Sequence, residues 1–260
     1  MSRSVPPYPP GRNLLAGKTV VVTAAAGTGI GFSAAKRASE EGATVLISDF
    51  HERRLNEAAD RIAEATGTRP AVKLCDVTRE EDVLALRDAA LAELGHVDVL
   101  INNAGLGGTA SVVDMKDDEW SRVIDVTLTS VMRMSRAFLP HMYERGQGSV
   151  VNNASVLGWR AQEGQSHYAA AKAGVMAFTR CSAIEAAQHG VRINAVAPSI
   201  AMHAFLAKVT TDELLAELSK REAFGRPAEV WEVANVMIFL ASDLSSYMTG
   251  EVLSVSSQHA

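Results

Sequence analysis

The sequence predicts a single α/β domain built on a doubly wound parallel sheet of about seven strands with helices on both faces. Short apolar runs rich in β-branched residues alternate with longer amphipathic segments along nearly the whole chain. Such alternation produces parallel strands, because each helix returns the chain to the same end of the sheet through a right-handed crossover. The 260 residues are enough for one large domain, and no linker or internal repeat divides them.

Seven short apolar runs are predicted to form the strands. Apolar character without strict alternation is typical of strands that are covered on both faces. The predicted strands are Thr19–Val22, Ala43–Ser48, Ala71–Cys75, Val97–Ile101, Ser149–Asn153, Arg192–Ala197 and Val252–Val255.

The segments between these runs are predicted to form helices. One long helical pattern is expected to be interrupted or to end near Pro140, because proline lacks the backbone N–H that a helix interior uses. The predicted helices are Ile30–Glu41, Arg53–Ala65, Glu80–Glu93, Asp117–Tyr143, Tyr168–His189, Leu214–Arg221 and Trp231–Ala241.

Composition argues against several classes of protein. The formal net charge is −5 without a basic block, so nucleic acid is not an expected partner. Neither a membrane-spanning run nor the apolar segment of a signal peptide is visible. Cys75 and Cys181 form no metal-like cluster and are predicted to be reduced core thiols of a cytoplasmic protein. Residues 1–13 are predicted to be a flexible or surface-draped tail, and residues 14–260 the domain.

The segment from Ser155 to Lys172 carries the strongest indication of chemistry. Tyr168 precedes Lys172 by four residues, so the two side chains share one face if the segment is helical. A nearby ammonium group favours the phenolate and is expected to lower the tyrosine pKa from its ordinary value near ~10. Tyr168 is therefore predicted to be a general acid/base, with the Ser155 hydroxyl holding the substrate oxygen. The motif alone is weak, since many helix surfaces carry it.

A glycine-rich turn, TAAAGTGIG at residues 23–31, follows the first predicted strand. Glycines at the start of a helix let the backbone approach a pyrophosphate, which the helix N-terminus attracts. Asp49 ends the second strand, where a carboxylate can bind the adenosine ribose hydroxyls and repel a 2′-phosphate. NAD is therefore the predicted cofactor, although Arg53 and Arg54 keep NADP open as the less favoured alternative.

Together these motifs resemble the short-chain dehydrogenase/reductase family over residues 14–257. The glycine turn and Thr127 are similar to those of actinobacterial members that act in steroid and other lipid catabolism. The motifs that carry the resemblance are TAAAGTGIG (23–31), Asp76-Val77, Asn102-Asn103-Ala104-Gly105, the set Ser155, Tyr168 and Lys172, NAVAPS (194–199) and FLASDLSSYMTGEVL (239–253).

The resemblance implies a Rossmann fold and a role for each matching residue. Tyr168 would exchange a proton with the substrate, Lys172 would hold the nicotinamide ribose, and Ser155 would orient the reacting oxygen. Thr127 stands where the family has an asparagine that anchors a water linked to the lysine, largely through its backbone carbonyl. Thr127 still offers a carbonyl and a hydroxyl, so it is included among the implied catalytic residues as part of a proton relay. The implied cofactor contacts are Thr23, Gly27, Thr28, Gly29, Ile30, Gly31, Asp49, Asp76, Val77, Asn103, Ala104, Gly105, Tyr168, Lys172, Pro198, Ser199, Ile200 and Ala201.

The sequence departs from the family pattern at several positions. The glycine turn is one residue longer than usual, and Ala24 or Ala25 replaces the first glycine, so the path of the loop is expected to differ. Ser199 replaces a glycine, and residues 202–204 replace the threonine that binds the carboxamide. The C-terminus ends VSSQHA where an aspartate and glycines are common.

The predicted substrate pocket has a mostly apolar wall and a lid at about residues 199–222. Such a wall suits a steroid-like or hydroxyacyl-CoA-like substrate better than a sugar, although the same side chains could simply pack the lid helices. The predicted pocket residues are Leu106, Gly107, Val156, Leu157, Trp159, Gln165, Met202, His203 and Phe205.

The resulting functional prediction is an NAD-dependent oxidoreductase that interconverts a secondary alcohol and a ketone, with no metal. The alternatives are an NADPH-dependent 3-oxoacyl reductase, which Asp49 disfavours, and a non-catalytic nucleotide-binding protein, which the intact Ser155, Tyr168 and Lys172 disfavour. The resemblance also implies a homo-oligomer, either a dimer or a tetramer.

Overall fold

A computed structural model of the chain describes residues 4–202 and 212–258. The strands of its main sheet are β1 (Thr19–Val22), β2 (Thr44–Asp49), β3 (Ala71–Leu74), β4 (Val99–Asn102), β5 (Gly148–Asn153), β6 (Val191–Pro198) and β9 (Val252–Val255). These seven strands are parallel and lie in the order β3-β2-β1-β4-β5-β6-β9. The short strands β7 (Ala201–Met202) and β8 (Ala228–Glu229) pair separately.

Helices cover both faces of the main sheet. They are α1 (Ile30–Glu40), α2 (Glu52–Thr66), α3 (Glu80–Leu94), α4 (Asp117–Ile124), α5 (Ser130–Arg145), α6 (Ser166–Ala187), α7 (Asp212–Arg221) and α8 (Val230–Ala241), with a π-helical turn at Asp125–Thr129. The predicted doubly wound fold is confirmed, and the predicted strands are present within two residues at each end. Because the strand order reverses between β1 and β4, a crevice forms at their carboxyl ends.

One predicted helix break was wrong. Pro140 lies inside α5, which continues to Arg145 and ends at Gly146 in a left-handed conformation. Pro140 is exposed, so water can bind the carbonyl that lacks a helical partner there. The predicted helix from Asp117 to Tyr143 is instead divided at the π-helical turn.

The core consists of two apolar layers, one on each face of the sheet. Val20 and Val22 of β1 pack in the layer that contains α1 and α8, and Val21 packs in the layer that contains α3 and α5. This arrangement follows from the strand period of two, which sends neighbouring side chains to opposite faces. Both layers are apolar, which explains the continuous apolar runs in the sequence.

The proline-rich segment before the domain lies against α1 and α8. The Tyr8 ring meets the Trp231 ring edge-on with centroids 5.4 Å apart. The Arg37 guanidinium donates to the carbonyls of Pro9 and Pro10, at 2.5 and 3.1 Å. These contacts favour the surface-draped form of the segment over a loose tail.

The two cysteines differ in their surroundings. Cys75 is buried just after β3, and burial raises the pKa of its thiol to about 12. Cys181 is exposed on α6, so its prediction as a core thiol was wrong. Helix α6 carries small and apolar residues around much of its circumference, so its sequence does not show which face is covered.

Within residues 4–202 and 212–258, no helix is both long enough and apolar enough to cross a membrane.

Candidate active site

The structure brings Ser155, Tyr168 and Lys172 together at the carboxyl edge of the sheet. Ser155 follows β5 and caps a short 3-10 turn, its hydroxyl accepting a hydrogen bond from Leu157 N at 3.2 Å. Tyr168 and Lys172 lie in the first two turns of α6, on one face as the spacing predicted. The phenol also shares a side-chain hydrogen bond with Ser155.

Lys172 is enclosed on several sides. Its side chain is buried, with 2% of the residue surface exposed, and its Nζ donates to Asn153 O at 2.5 Å. The Nζ atom lies 5.5 Å from the centroid of the Tyr168 ring. A Cβ atom added at Gly105 would stand 3.4 Å from Nζ, so the loop after β4 approaches the lysine closely because it carries glycine there.

The pKa values of this pair differ from the sequence prediction. Burial raises the pKa of Tyr168 to about 12, and the hydrogen bond with Ser155 only partly opposes this. Burial also lowers the pKa of Lys172 to about 7. The expected lowering of the phenol pKa by the lysine was wrong for the chain by itself, because loss of water disfavours the charged form of both groups.

Thr127 occupies the middle of the π-helical turn and is fully buried. Its hydroxyl accepts from Leu106 N at 3.0 Å and donates to Leu106 O at 3.1 Å. The hydroxyl therefore fastens the loop after β4 to the helix, and it is not free for a proton relay. A role of the Thr127 backbone carbonyl in such a relay stays a prediction.

The glycine turn contains one alanine in a backbone conformation that is usual for glycine, and a loop path that differs from the family's stays a prediction. Ala24 has a φ of +51°, the left-handed region that usually requires glycine. A Cβ at Gly31 would lie 2.4 Å from both Ala24 O and Asn103 Nδ2, so only glycine fits there. A Cβ at Gly27 or Gly29 would meet nothing within 4 Å, which leaves open space at the start of α1.

The start of α1 fits a pyrophosphate. Gly29 is its N-cap residue, and no side chain from the described part of the chain caps the helix. The first backbone N–H groups are thus available to an anion, which the helix dipole also attracts. Thr28 and Ile30 belong to the same segment.

Thr23 and Asn103 brace the ends of this loop. The Thr23 hydroxyl accepts from Asn103 N at 3.0 Å. The Asn103 amide donates to Ala24 O at 3.1 Å and accepts from Asn153 Nδ2 at 2.9 Å. The hydrogen bonds of both side chains go to the protein, and their contact with a cofactor stays a prediction.

A cavity of about 700 Å³ lies beside the glycine turn. Its size falls in the usual range of small-molecule sites, and its polar groups include two predicted carboxylates. Predicted cofactor residues in its lining are Asp49, Asp76, Val77, Ala104 and Gly105. Sequence reasoning missed further lining residues from the loops after β2 and β3, from α4 and from the π-helical turn, namely Phe50, Cys75, Thr78, Trp120, Ser121, Arg122, Ile124, Asp125, Val126 and Thr129.

The carboxylate of Asp49 bridges two backbone segments. Its oxygens accept from Ala26 N at 3.2 Å and from His51 N at 3.0 Å. Burial raises the pKa of this carboxyl, while the Ala26 hydrogen bond and the charge of Arg54 oppose the rise. Asp49 therefore lies at the junction of the glycine turn and the end of β2.

The segment after β6 closes the other end of the crevice. Pro198 ends β6, and Ser199 N donates to Val255 O at 3.1 Å. The Ser199 hydroxyl is buried and has no hydrogen-bond partner within the described residues. Ile200 O accepts from Ala228 N at 2.9 Å, which joins Ala201 and β7 to β8.

The predicted substrate residues are only partly assembled. A Cβ at Gly107 would lie 3.9 Å from Tyr168 Cδ2, which places the loop after β4 beside the phenol. Val156 is buried and Leu157 half-buried, whereas Trp159 is 52% exposed. Met202 is half-buried in β7. His203 and Phe205 lie outside the described residues.

The side chains of Gln165 and Arg160 both form hydrogen bonds within the protein. The Gln165 amide donates to Gly108 O at 2.7 Å, and the Arg160 guanidinium donates to the Gln258 side chain. The sequence also gave no indication that His167, next to Tyr168, is a buried residue. The one feature of the sequence that could have drawn attention to His167 is its position directly before Tyr168.

This arrangement can transfer a proton to or from an oxygen atom held beside Tyr168 and Ser155. The site is adjacent to a crevice whose uncapped helix, open glycines and carboxylate-lined cavity fit a dinucleotide.

Comparison with known proteins agrees with this geometry. A family profile described as enoyl-(acyl carrier protein) reductase matches residues 24–257. The chain is 63% identical over 250 residues to (5R,7aS)-5-hydroxy-7a-methyl-1-oxo-2,3,5,6,7,7a-hexahydro-1H-indene-carboxyl-CoA reductase of Mycobacterium tuberculosis, covering 96% of this chain and 95% of the relative. It is 37% identical over 243 residues to the 3-oxoacyl-[acyl-carrier-protein] reductase of Chlamydia muridarum, covering 94% and 97%.

A solved structure of a short chain dehydrogenase from Mycobacterium smegmatis is also similar. It has 58% sequence identity and a TM-score of 0.88, and the match covers 99% of each chain. The predicted likeness to actinobacterial proteins is confirmed by these mycobacterial matches. Profile, relatives and solved structure agree over nearly the whole length, and the chain therefore belongs to the short-chain dehydrogenase/reductase family.

Proposed function

We propose that this protein is an NAD-dependent oxidoreductase that interconverts a secondary alcohol and a ketone. The observation that carries the proposal is the convergence of Ser155, Tyr168 and Lys172 beside a crevice that fits a dinucleotide. Members of the family bind NAD or NADP in general. The bound nicotinamide would supply or accept the hydride, and the protein supplies position and proton transfer.

Tyr168 is the proposed general acid in ketone reduction. Its pKa of about 12 keeps the phenol protonated at neutral pH, so a proton is available for a carbonyl oxygen. The Ser155 hydroxyl is placed to hold that oxygen next to the phenol. In alcohol oxidation the phenolate takes the proton back, which follows from microscopic reversibility.

Lys172 has two proposed roles, binding the nicotinamide ribose and favouring the phenolate when it is charged. With a pKa of about 7, its ammonium form is only partly populated at neutral pH. Any added hydrogen-bond acceptor near Nζ would favour the charged form. The ribose hydroxyls are acceptors of this kind.

NAD is favoured over NADP because of Asp49. Its carboxylate lines the cavity and lies against Ala26 N of the glycine turn, so a 2′-phosphate placed there would meet a buried negative charge. Asp49→Ala is expected to reduce the ratio of the affinity for NAD to the affinity for NADP. Fluorescence titration with the reduced cofactors measures this ratio. Asp60→Ala, which removes an exposed carboxylate of α2, is the matched control. An unchanged ratio in the Asp49 variant would argue against the ribose assignment.

The proposed substrate is a ring-containing apolar ketone or alcohol, linked to coenzyme A. The printed name of the 63% identical relative describes a hydroxylated bicyclic ring attached to a CoA thioester, and this is the support for the proposal. A 3-oxoacyl thioester is the second candidate, since the Chlamydia relative acts on that class by name. Direct comparison of the two substrate classes distinguishes them.

The test is a Tyr168→Phe substitution assayed with NAD and a panel of alcohols. The panel contains CoA thioesters of hydroxylated bicyclic acids, hydroxy-steroids, 3-hydroxyacyl-CoA thioesters and simple secondary alcohols. Loss of the general acid/base should lower kcat/KM by about 10²–10⁴-fold, with NADH affinity retained. Tyr143→Phe on α5 is the matched control. Equal rates in the wild type and the Tyr168 variant would indicate that the phenol takes no part in the reaction.

A homo-oligomer is also proposed on the basis of the family. Ile184 is 70% exposed on α6, and Cys181 is exposed on the same helix, so an apolar face is open in the single chain. Light scattering of the purified protein at several concentrations tests this point. A monomer at all concentrations would contradict it.

A further inference from the structure

The loop after β4 is bonded to the segment that leads into α6. The Gln165 side-chain amide donates to Gly108 O at 2.7 Å and to Thr109 Oγ1 at 3.1 Å. Ala110 N donates to Gly164 O at 3.0 Å. Loop residues 106–110 and residues 164–168 are thus joined side by side, next to Tyr168.

The same loop is held at its other end by the π-helical turn. Thr127 makes two hydrogen bonds to the backbone of Leu106, at 3.0 and 3.1 Å. Gly107, between the two attachments, is the residue whose added Cβ would lie 3.9 Å from Tyr168 Cδ2. The distance between the loop and the phenol is therefore controlled by side chains on both sides of it.

His167 fills the space behind this loop. Its side chain is 0% exposed, and neither ring nitrogen has a hydrogen-bond partner within the described residues. Its Nε2 lies 3.8 Å from Glu119 Oε1 on α4. A Cβ at Gly108 would stand 3.1 Å from Nε2 and 3.3 Å from Glu119 Oε1, so the imidazole of α6 lies close to both the loop and α4. A buried imidazole without a hydrogen-bond partner is unfavourable for stability, so we looked for another reason for its presence in its contacts with the loop and α4.

We propose that Gln165 and His167 are positioning residues that fix the loop at residues 106–110 relative to Tyr168 and thereby set the width of the substrate pocket. This proposal rests on the proposed role of Tyr168. It also replaces the sequence prediction that Gln165 contacts substrate, because both of its amide hydrogen bonds end on the loop.

The first test uses Gln165→Glu, which has the same shape but places a carboxylate where an N–H donor meets Gly108 O. Hydrogen exchange of the peptide that contains Ala110 should become about 2–10-fold faster, as expected for the loss of one or two hydrogen bonds. The KM of a bicyclic CoA substrate should change by a similar factor, and that of a small secondary alcohol much less. Gln188→Glu, at the exposed far end of α6, is the matched control.

Two further variants keep the test decisive. Gln165→Met removes the donor without adding charge, and it should behave like Gln165→Glu if that variant folds poorly. His167→Ala should accelerate hydrogen exchange of the loop and change the KM of the bicyclic CoA substrate more than that of a small alcohol. His167→Gln retains bulk and polarity, so its exchange rate and KM values should lie close to those of the wild type. Equal effects of the two His167 substitutions would overturn its positioning role.

The exchange measurement separates this proposal from the proposed function. Unchanged exchange at residues 106–110 in folded Gln165 variants would overturn the positioning role, whatever the activity. A KM that rises equally for large and small substrates with unchanged exchange would indicate direct substrate contact and would also overturn it. A wild-type protein that turns over no alcohol would instead contradict the proposed function, while exchange would still report on the loop.

Discussion

At the scale of single residues, burial shifts the pKa values of Tyr168 and Lys172 in the direction that favours the neutral form of each. The pKa of the phenol is raised to about 12 and that of the ammonium is lowered to about 7 by the same loss of water. A protonated phenol favours reduction, since a proton donor stands ready for the carbonyl oxygen. Lys172 in turn is held in an environment that opposes its charge.

The first prediction concerns the pH dependence of the two directions. Oxidation needs the phenolate form of Tyr168. At pH values below the phenol pKa, the phenolate fraction increases about tenfold for each unit by which the pH is raised. In the free enzyme, kcat/KM for alcohol oxidation is therefore expected to increase from pH 7 to pH 10, while that for ketone reduction changes little. Initial rates in both directions test this. Parallel profiles would show that another group controls the proton transfer.

The second prediction concerns the stability contributed by Lys172. Its pKa is lower in the folded chain than in the unfolded chain, so the unfolded state binds more protons between pH 7 and 10. Lys172 therefore lowers the free energy of unfolding in that range, and the reduction grows as the pH falls toward 7. Lys172→Met should raise Tm at pH 7 by several degrees, at about 2–4 °C per kcal/mol, while abolishing turnover.

Calorimetry at pH 7 and pH 10 measures this effect. The rise in Tm of the Lys172→Met variant should be smaller at pH 10, because this pH is close to the pKa of lysine in the unfolded chain. A lower Tm at both pH values would indicate that the hydrogen bond to Asn153 O outweighs the burial of the charge.

At the scale of elements, the glycine turn is supported by contacts from neighbouring helices. Ala24 adopts a left-handed backbone, and Arg61 on α2 donates to Gly27 O at 2.9 Å. The Arg61 guanidinium also lies 4.2 Å from the centroid of the Phe32 ring on α1. The turn therefore combines a strained alanine with a contact from a neighbouring helix.

The third prediction is a matched pair of substitutions in this turn. A left-handed alanine costs about 1–2 kcal/mol, and glycine removes this strain. Because glycine also increases the conformational entropy of the unfolded chain, Ala24→Gly should raise the free energy of unfolding by up to about 1 kcal/mol. Gly31→Ala should destabilise the protein, because its Cβ would stand 2.4 Å from Ala24 O. Urea unfolding of both variants measures the difference. Equal midpoints would mean that the turn adjusts to either residue.

Elements differed in how well the sequence predicted them. Gly67, Gly95 and Gly146 directly follow α2, α3 and α5, and each has positive φ, which is the usual signal of a helix end. The π-helical turn at Asp125–Thr129 has no such signal, because its widened hydrogen bonding does not depend on a special residue type. Pro140 showed the reverse error, a strong signal without a break.

At the scale of the whole molecule, a second polar cluster joins elements at the amino ends of the strands. Asp98 accepts from Thr19 N on β1 and from Arg145 on α5, both at 2.9 Å. Burial raises the pKa of Asp98, but these hydrogen bonds bring it below its ordinary value. His141 Nε2 accepts from Val97 N at 3.3 Å, and burial together with Arg145 lowers its pKa.

The fourth prediction is a loss of stability in acid. His141 has a lower pKa when folded, so the unfolded chain binds more protons as the pH falls through ~6.5, and Tm should decrease from pH 7 to pH 5. Asp98 adds a further loss when the pH falls through ~3.9 toward its lower folded pKa. The Asp98 carboxylate therefore stabilises the folded state at neutral pH, whereas His141 lowers its stability only in acid.

His141→Gln provides the comparison for this prediction, because its amide oxygen can accept from Val97 N without titrating. The dependence of Tm on pH between 7 and 5 should be weaker in this variant. His189→Gln, at an exposed histidine that stacks on Tyr143, is the control. An identical slope in the wild type and the His141 variant would assign the acid sensitivity to other groups.

The sequence by itself determined the order of strands and helices, the glycine turn and the Ser155–Tyr168–Lys172 set, because these depend on periodicity and spacing along a short stretch of chain. Only the tertiary structure decided which polar groups stay available, since their partners are remote in sequence. Thr127 is paired with Leu106 across 21 residues and Gln165 with Gly108 across 57. It also decided the pKa values of Tyr168 and Lys172, because burial by the surrounding elements outweighs the one neighbour that the sequence shows.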